Sequence, residues 1–150
     1  PSPKFQLVDA NDIVKRIKGL FLPVFEKNKV KLHAQLSPAP IIFQADVEMM
    51  EQVIINLIKN AIDATKGKAD ATVTVATQRS KDGKAVITVA DNGSGIEKEL
   101  LEQIFVPFYT TKDDGSGIGL SLSRQILRLH KGRIGVQSVV GEGTIFTLTI

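Results

Sequence analysis

The spacing of apolar and polar residues along the chain predicts three long helices. Apolar residues recur at helical spacing over residues 9–29, 47–65 and 118–131. Asp9 or Asn11 can cap the first helix and Asp46 the second, because their side chains accept hydrogen bonds from the first free N–H groups. Pro23 is expected to bend or interrupt the first helix, and a shorter helix is expected over residues 97–104.

Alternation of apolar and polar residues predicts the strands. The predicted strands cover residues 30–36, 41–45, 72–79, 84–91, 133–140 and 144–150. Asp82 and Gly83 form a strong hairpin signal between the third and fourth strands. The chain has more predicted strands than a doubly wound βαβ pattern would give. We therefore expect an α+β fold, a two-layer sandwich in which one mixed sheet of about five strands carries three main helices on one face.

Composition narrows the class of protein. A length of 150 residues fits one domain spanning residues 1–150, and 43% hydrophobic with 23% charged residues is typical of globular proteins. The chain has no cysteine, which excludes disulfides and thiolate zinc sites. A net charge of only +3 with 5% aromatic residues argues against nucleic-acid binding. No apolar run approaches the roughly 20 residues of a membrane span, so we expect no direct membrane contact by this domain.

Two groups of polar residues suggest chemistry. Asn56 and Asn60 lie four residues apart on one side of the second predicted helix, where their amides can hold a metal ion and phosphate oxygens. Asp91 ends a predicted strand just before Gly93 and Gly95, where its carboxylate can accept a hydrogen bond from the amino group of a base. A plain turn residue at the end of a strand is the alternative for Asp91.

A third candidate is the glycine-rich segment at the start of the third long helix, Gly115-Ser116-Gly117-Ile118-Gly119. Backbone N–H groups in such a segment can approach an anion, and the helix dipole favours negative charge there. A flexible helix start without a ligand fits the same pattern. The pattern G-x-x-x-x-G-K-[ST] of a P-loop occurs nowhere in the chain, and the spacing differs from that of a dinucleotide fingerprint.

Taken together, these segments resemble the catalytic ATP-binding domain of two-component sensor histidine kinases, within the GHKL ATPase superfamily. Five segments match in order: Glu51–Ala61, Asp91–Ile96, Ile104–Lys112, Gly115–Ser121 and Gly141–Thr144. The sequence Ile62-Asp63-Ala64 resembles the nitrogen-regulation-like subgroup. The resemblance implies a Bergerat-type fold and a fragment of a longer sensor kinase, with the dimerisation and phosphoacceptor domain outside this sequence.

The resemblance also implies ATP and Mg²⁺ as ligands and assigns residue roles. Asn60 and Asn56 would hold the metal ion, and Lys112 would reach the γ-phosphate. Asp91 would accept from the adenine amino group, with Thr144 beside it. Residues 105–117 would form a lid over ATP, which Phe105 and Phe108 would anchor by packing. The other residues implied to line the nucleotide are Gly93, Gly95, Ile96, Phe105, Gly115, Gly117, Ile118, Gly119 and Leu120.

One position indicates transfer rather than hydrolysis. Superfamily members that hydrolyse ATP carry a Glu where this chain has Asn56, and an amide cannot take a proton. The implied activity is that of a protein-histidine kinase, weak without its phosphoacceptor domain, whose phosphoryl group passes on to an aspartate of a response-regulator receiver domain. The alternatives are an anti-sigma-factor-type protein serine kinase and a nucleotide-binding module without transfer activity. We expect a cytoplasmic location, whether or not the parent protein is anchored in the inner membrane.

Three further residues carry weaker expectations. His33 precedes Pro38 by five residues, as the phosphoacceptor histidine of the family does, but a predicted strand surrounds it and no acid follows it. A dipole interaction at a helix end or solvent exposure accounts for His130. Asp63 lies where many histidine kinases carry a basic residue that contacts phosphate, so that contact is not expected here.

Overall fold

The computed structural model describes residues 2–108 and 119–150. Its three long helices are Ala10–Lys27 (α1), Val47–Ala64 (α2) and Gly119–Leu129 (α3). The strands are Gln6–Asp9 (β1), Lys31–Gln35 (β2), Ile42–Ala45 (β3), Thr72–Arg79 (β4), Ala85–Asp91 (β5), Arg133–Val139 (β6) and Gly143–Thr149 (β7). Among the described helices, none is both long enough and apolar enough to cross a membrane.

The main sheet has five strands in the order β2-β4-β5-β7-β6. β2 pairs with β4 in parallel, and the other neighbours pair antiparallel, so the sheet is mixed. This confirms the predicted two-layer α+β sandwich with three main helices. A second, two-stranded antiparallel sheet joins β1 to β3. The predicted third strand therefore exists but lies outside the main sheet, and its partner β1 was not predicted.

The core lies between one face of the main sheet and the helices. Every second residue of the three central strands is buried there, as expected for strands with one covered face. These residues share one apolar cluster with the buried sides of α1 and α2. The strand residues concerned are Val73, Val75, Ile87, Val89, Phe146 and Leu148. The opposite face of the sheet carries His33 beside Thr74, which confirms that His33 lies on a strand.

The helix starts follow the predicted capping chemistry. The Asp9 carboxylate accepts a hydrogen bond from the Asn11 N–H at 2.9 Å and caps α1. The Asp46 carboxylate accepts from the Met49 N–H at 3.1 Å and caps α2. Asn11, the other candidate for α1, is instead buried, and its side-chain amide donates to the Ser37 carbonyl at 3.1 Å. Asp46 thus fixes where α2, the helix with both candidate asparagines, begins.

Two local predictions need correction. Pro23 does not interrupt α1, which continues to Lys27, because Ile17 and Phe25 on either side of the proline are both held in the core. The helix expected over residues 97–104 is only a short 3₁₀ helix, Lys98–Leu100. No side chain caps its start and none of its three residues is buried, so nothing extends it into a longer helix.

Candidate functional site

α2 places its two asparagines along the edge of the core. Met50 and Leu57 on one side of the helix are fully buried. Asn56 and Asn60 lie on another side and are only partly buried. Because residues four apart lie one above the other on a helix, the two amides form a polar row that runs toward the C-terminal end of α2. This row is the first part of the candidate site.

Asn56 contacts the first residue of α3. A Cβ atom on Gly119 would lie 2.4 Å from Asn56 Oδ1, so only glycine allows this approach. The Asn56 Nδ2 group is buried and has no hydrogen-bond partner among residues 2–108 and 119–150. Leaving a buried donor unpaired costs about 1–3 kcal/mol. The site therefore holds an amide donor that an acceptor such as a phosphate oxygen would satisfy.

A cavity of about 460 Å³ lies between α2 and α3 at this point. From α2 it is lined by Gln52, Asn56 and Lys59 among others, and from α3 by Gly119 and Leu122 among others. Its lining is thus mainly polar on the α2 side and partly apolar on the α3 side. A cavity of this size falls in the range of small-molecule sites.

Asp91 is the second part of the site, at the end of β5. The register of the sheet places it opposite Thr144 of β7. Its Oδ1 accepts a hydrogen bond from the Gly93 N–H at 2.8 Å. Burial raises the pKa of Asp91, and hydrogen bonds from the backbone N–H groups of Gly93 and Thr144, which favour the charged form, offset only part of this rise.

Close backbone packing connects Asp91 to the C-terminal end of α2. A Cβ on Gly93 would lie 2.4 Å from the Ala64 carbonyl oxygen, and the Ser94 N–H donates to that same oxygen at 3.1 Å. Gly95 has a φ of +76°, and a Cβ added to it would lie 2.4 Å from the Val139 carbonyl oxygen. Both glycines are thus required by neighbouring protein backbone, a reason independent of any ligand.

Ser138 links two of the predicted site residues and was not singled out from the sequence. Its hydroxyl oxygen accepts from the Ile96 N–H at 2.7 Å and lies 2.7 Å from Thr144 Oγ1. Thr144 is only 4% exposed. Ser138 therefore connects Ile96 to Thr144, the residue opposite Asp91. A serine within a strand carries no motif, so no signal in a single sequence distinguishes it.

The two phenylalanines differ from each other. Phe105 is buried, and its ring meets the Phe146 ring edge-on with 6.5 Å between the centroids. The Arg124 guanidinium lies 5.4 Å from the centroid of the Phe105 ring. Its predicted packing role is confirmed. Phe108 is 77% exposed with a left-handed backbone, φ 68°, so its predicted packing role was wrong.

Of the remaining predicted site residues, one is described by the structure and four are not. Leu120 is partly buried against the core in the first turn of α3. Lys112, Gly115, Gly117 and Ile118 lie outside the described residues, as does most of the lid expected over residues 105–117.

The expectation of solvent exposure for His130 was wrong. The ring is only 7% exposed, and its Nδ1 lies 2.7 Å from the Ile126 carbonyl oxygen. Nε2 accepts from the Asp46 N–H at 3.1 Å. Through these two contacts the His130 ring connects the end of α3 to the start of α2.

Known proteins resemble this chain in sequence and in structure. Residues 45–150 match the family model described as histidine kinase-, DNA gyrase B-, and HSP90-like ATPase. The sensor histidine kinase ZraS of Klebsiella oxytoca is 35% identical over 144 residues, which cover 96% of this chain and 31% of that protein. The chain therefore spans about a third of the length of that relative.

Two solved structures are also similar. The catalytic domain of histidine kinase ThkA, in a nucleotide-free form, aligns with a TM-score of 0.88 and 30% identity over 98% of this chain and 95% of that one. ThkA in complex with the response regulator TrrA aligns with a TM-score of 0.82 and 28% identity, covering 97% of this chain and 41% of that one.

Proposed function

Because the chain belongs to the histidine kinase-, DNA gyrase B- and HSP90-like ATPase family, we propose that residues 1–150 are the catalytic, ATP-binding domain of a sensor histidine kinase. ATP is its phosphoryl donor, and a histidine on a separate dimerisation domain is the acceptor. The observation that carries the proposal is the half-buried Asp91 carboxylate at one end of α2, with the Asn56 amide, unpaired among the described residues, two turns back along the same helix.

In this proposal the base binds at Asp91 and the phosphates follow α2. The carboxylate accepts a hydrogen bond from the adenine amino group, while Thr144 and Ile96 lie beside the ring. Asn56 is eight residues before Ala64, which is about 12 Å along a helix at 1.5 Å per residue. A nucleotide anchored at Asp91 therefore extends its phosphates past Asn60 toward Asn56.

Asn60 and Asn56 would hold a magnesium ion together with the phosphate oxygens. The ion would neutralise phosphate charge during transfer. Nδ2 of Asn56 has no hydrogen-bond partner among the described residues, so Asn56 suits a phosphate oxygen through its amino group. We therefore assign the main share of metal binding to Asn60.

The chemistry proposed for the site is transfer rather than hydrolysis. Because the amide of Asn56 cannot deprotonate water, the domain's own residues hold and orient ATP. A nitrogen of the acceptor histidine attacks the γ-phosphorus, the bond to the β–γ bridging oxygen breaks, and ADP leaves. Positioning and charge neutralisation dominate such reactions, so an amide-and-metal site suffices when the partner brings the nucleophile.

The same proposal includes a partner and a location. The phosphohistidine passes its phosphoryl group to an aspartate of a response-regulator receiver domain, which the structure of the similar kinase ThkA with its regulator supports by analogy. Both steps take place in the cytoplasm, where ATP is available.

Incubation with labelled ATP tests the proposal. The domain is mixed with the dimerisation domain of its own parent protein, and the Asp91→Asn variant serves as the matched control. We expect label on a histidine, recognised because phosphohistidine is lost in acid and survives base. Acid-stable label on a partner serine would instead support the serine-kinase alternative. Tight ATP binding without any transfer would leave a nucleotide-binding module.

A further inference from the structure

We propose that Lys59 binds the terminal phosphate of the nucleotide and so lets the site distinguish ATP from ADP. The inference rests on the proposed function, since it concerns the same site. The sequence pattern drew attention to the asparagines and not to this lysine, which lies between them.

The position of Lys59 supports this role. It lines the 460 Å³ cavity together with Asn56 and Gly119. Side chains three residues apart on a helix are neighbours, so the long Lys59 side chain can reach an anion held at the Asn56 amide. The side chain is exposed, so the ammonium group has room to move onto a ligand.

The charges around the cavity leave Lys59 available. Glu51, which also lines the cavity, has its Oε2 3.1 Å from the Arg16 Nε. One turn after Lys59, the Asp63 carboxylate lies 3.6 Å from the Lys66 ammonium. Within the described part of the chain Lys59 forms no ion pair, and no other cation lines this cavity. Glu48, the other acidic residue that lines the cavity, lies about three turns before Lys59 on α2, too far away to pair with it. An anion beside Lys59 therefore meets a positive charge that has no acidic partner among the described side chains.

The direction of the nucleotide decides which phosphate Lys59 meets. The base end is fixed beyond Ala64, where Asp91 lies, and Asn60 is the first of the two amides on the way from it. Lys59 and Asn56 line the cavity further along. ADP keeps the base and the inner phosphates but lacks the outermost group. Removing the Lys59 charge should therefore weaken ATP binding much more than ADP binding.

Calorimetry on Lys59→Met, with Lys15→Met as the control and Lys59→Arg as the rescue, tests this inference. Lys15 is an exposed lysine of α1 that does not line the cavity. Because charge-assisted hydrogen bonds to phosphate are strong but Lys59 is exposed, we expect a fall of about tenfold in ATP affinity for Lys59→Met. ADP affinity should stay within about twofold. Lys59→Arg should restore most of the ATP affinity, and Lys15→Met should behave as wild type.

Two outcomes would overturn the inference. One is an equal fall in ATP and ADP affinity, which would place Lys59 at the inner phosphates. The other is no change for either nucleotide. Failure of the wild-type domain to bind ATP would contradict the proposed function instead, so the two ideas fail separately. The variant should fold, since an exposed lysine is replaced by a residue with good helix propensity.

Discussion

At the scale of single residues, Asp91 shows how a ligand site can oppose folding. Burial raises its pKa, so at neutral pH the folded protein carries a carboxylate that would be better solvated in the unfolded chain. The N–H groups of Gly93 and Thr144 recover part of that energy. The remaining acceptor capacity of the half-buried carboxylate is what an adenine amino group would use.

Replacing Asp91 with asparagine should separate binding from folding. We expect Asp91→Asn to lose measurable ATP and ADP binding, because an amide accepts less strongly and turns its amino group toward the base. Thermal stability without nucleotide should be equal or higher, since a partly buried charge is removed. Calorimetry and thermal unfolding measure the two effects. Asp70→Asn, an exposed loop position, is the control, and undiminished affinity in Asp91→Asn would refute the assigned role.

The raised pKa of Asp91 also predicts a pH dependence. Only the ionised carboxylate accepts two or more hydrogen bonds well, so ADP affinity without metal should fall on acidification, starting at a higher pH than for an unperturbed aspartate. The folding stability of the nucleotide-free protein should depend on pH in the opposite direction. With a folded pKa above the unfolded one, the contribution of Asp91 to stability is complete at low pH and declines as pH rises through the folded pKa.

Calorimetric titrations with ADP between about pH 7.5 and about pH 4.5 test the binding side of this prediction. Unfolding of free wild type and Asp91→Asn over the same range tests the stability side, because the variant should lack the Asp91 contribution. A flat ADP affinity over this range would contradict a carboxylate acceptor with a raised pKa.

Individual site residues were predictable only where local pattern determines them. The asparagine row follows from helical spacing, and Asp91 from its place at a strand end before glycines. By contrast, the packing reason for Gly93 depends on Ala64, a residue distant in sequence. The linking role of Ser138 depends on how β6 pairs with β7. Such reasons arise from tertiary contacts, which no local pattern contains.

At the scale of elements, the start of α2 gathers several parts of the chain. The Asp46 carboxylate accepts hydrogen bonds from the Lys4 N–H at 2.8 Å and the Met49 N–H at 3.1 Å, and these bonds lower its pKa. The Asp46 N–H in turn donates to His130 at the end of α3. α2 thus begins where the N-terminal segment and α3 are both attached to it.

The Asp46 cap of α2 should therefore make a measurable contribution to the free energy of unfolding. We expect Asp46→Ala to lower the free energy of unfolding by about 1 kcal/mol near neutral pH, and Asp46→Asn, which can still cap, to lower it by much less. Since the folded pKa is lowered, the wild-type advantage should be present above the unfolded pKa and vanish as pH falls through the folded one. Urea denaturation of wild type and of both variants measures these free energies of unfolding at each pH. Equal stability of Asp46→Ala and wild type would show that the cap contributes nothing.

Element prediction succeeded where periodic runs were long. The bounds of α1, α2 and the five strands of the main sheet lie within about two residues of those predicted, which is the usual uncertainty of element ends. β1 was missed because its four residues contain only two apolar ones, too short a run for alternation to register. It exists because β3 pairs with it. The nitrogen-regulation-like subgroup stays a prediction, since neither the fold nor the family match distinguishes it.

At the scale of the whole molecule, the two ends of the proposed nucleotide site belong to different parts of the chain. The base end is built from β5, β7 and the turn after β5, and the phosphate end from α2 and the start of α3. A bound nucleotide would therefore contact elements from both layers of the sandwich. Because the unfolded chain cannot bring these elements together, binding and folding must be thermodynamically linked.

Nucleotide should consequently stabilise the whole domain. A ligand that binds only the folded state at 100 times its Kd adds about 2.7 kcal/mol, which corresponds to a rise in Tm of about 5–10 °C for a domain of this size. We expect this shift with ATP and magnesium in thermal unfolding of the wild-type domain. Asp91→Asn at the same nucleotide concentration should show almost none. A similar shift in both proteins would mean that ATP stabilises the fold through some other surface, and would place the base away from β5.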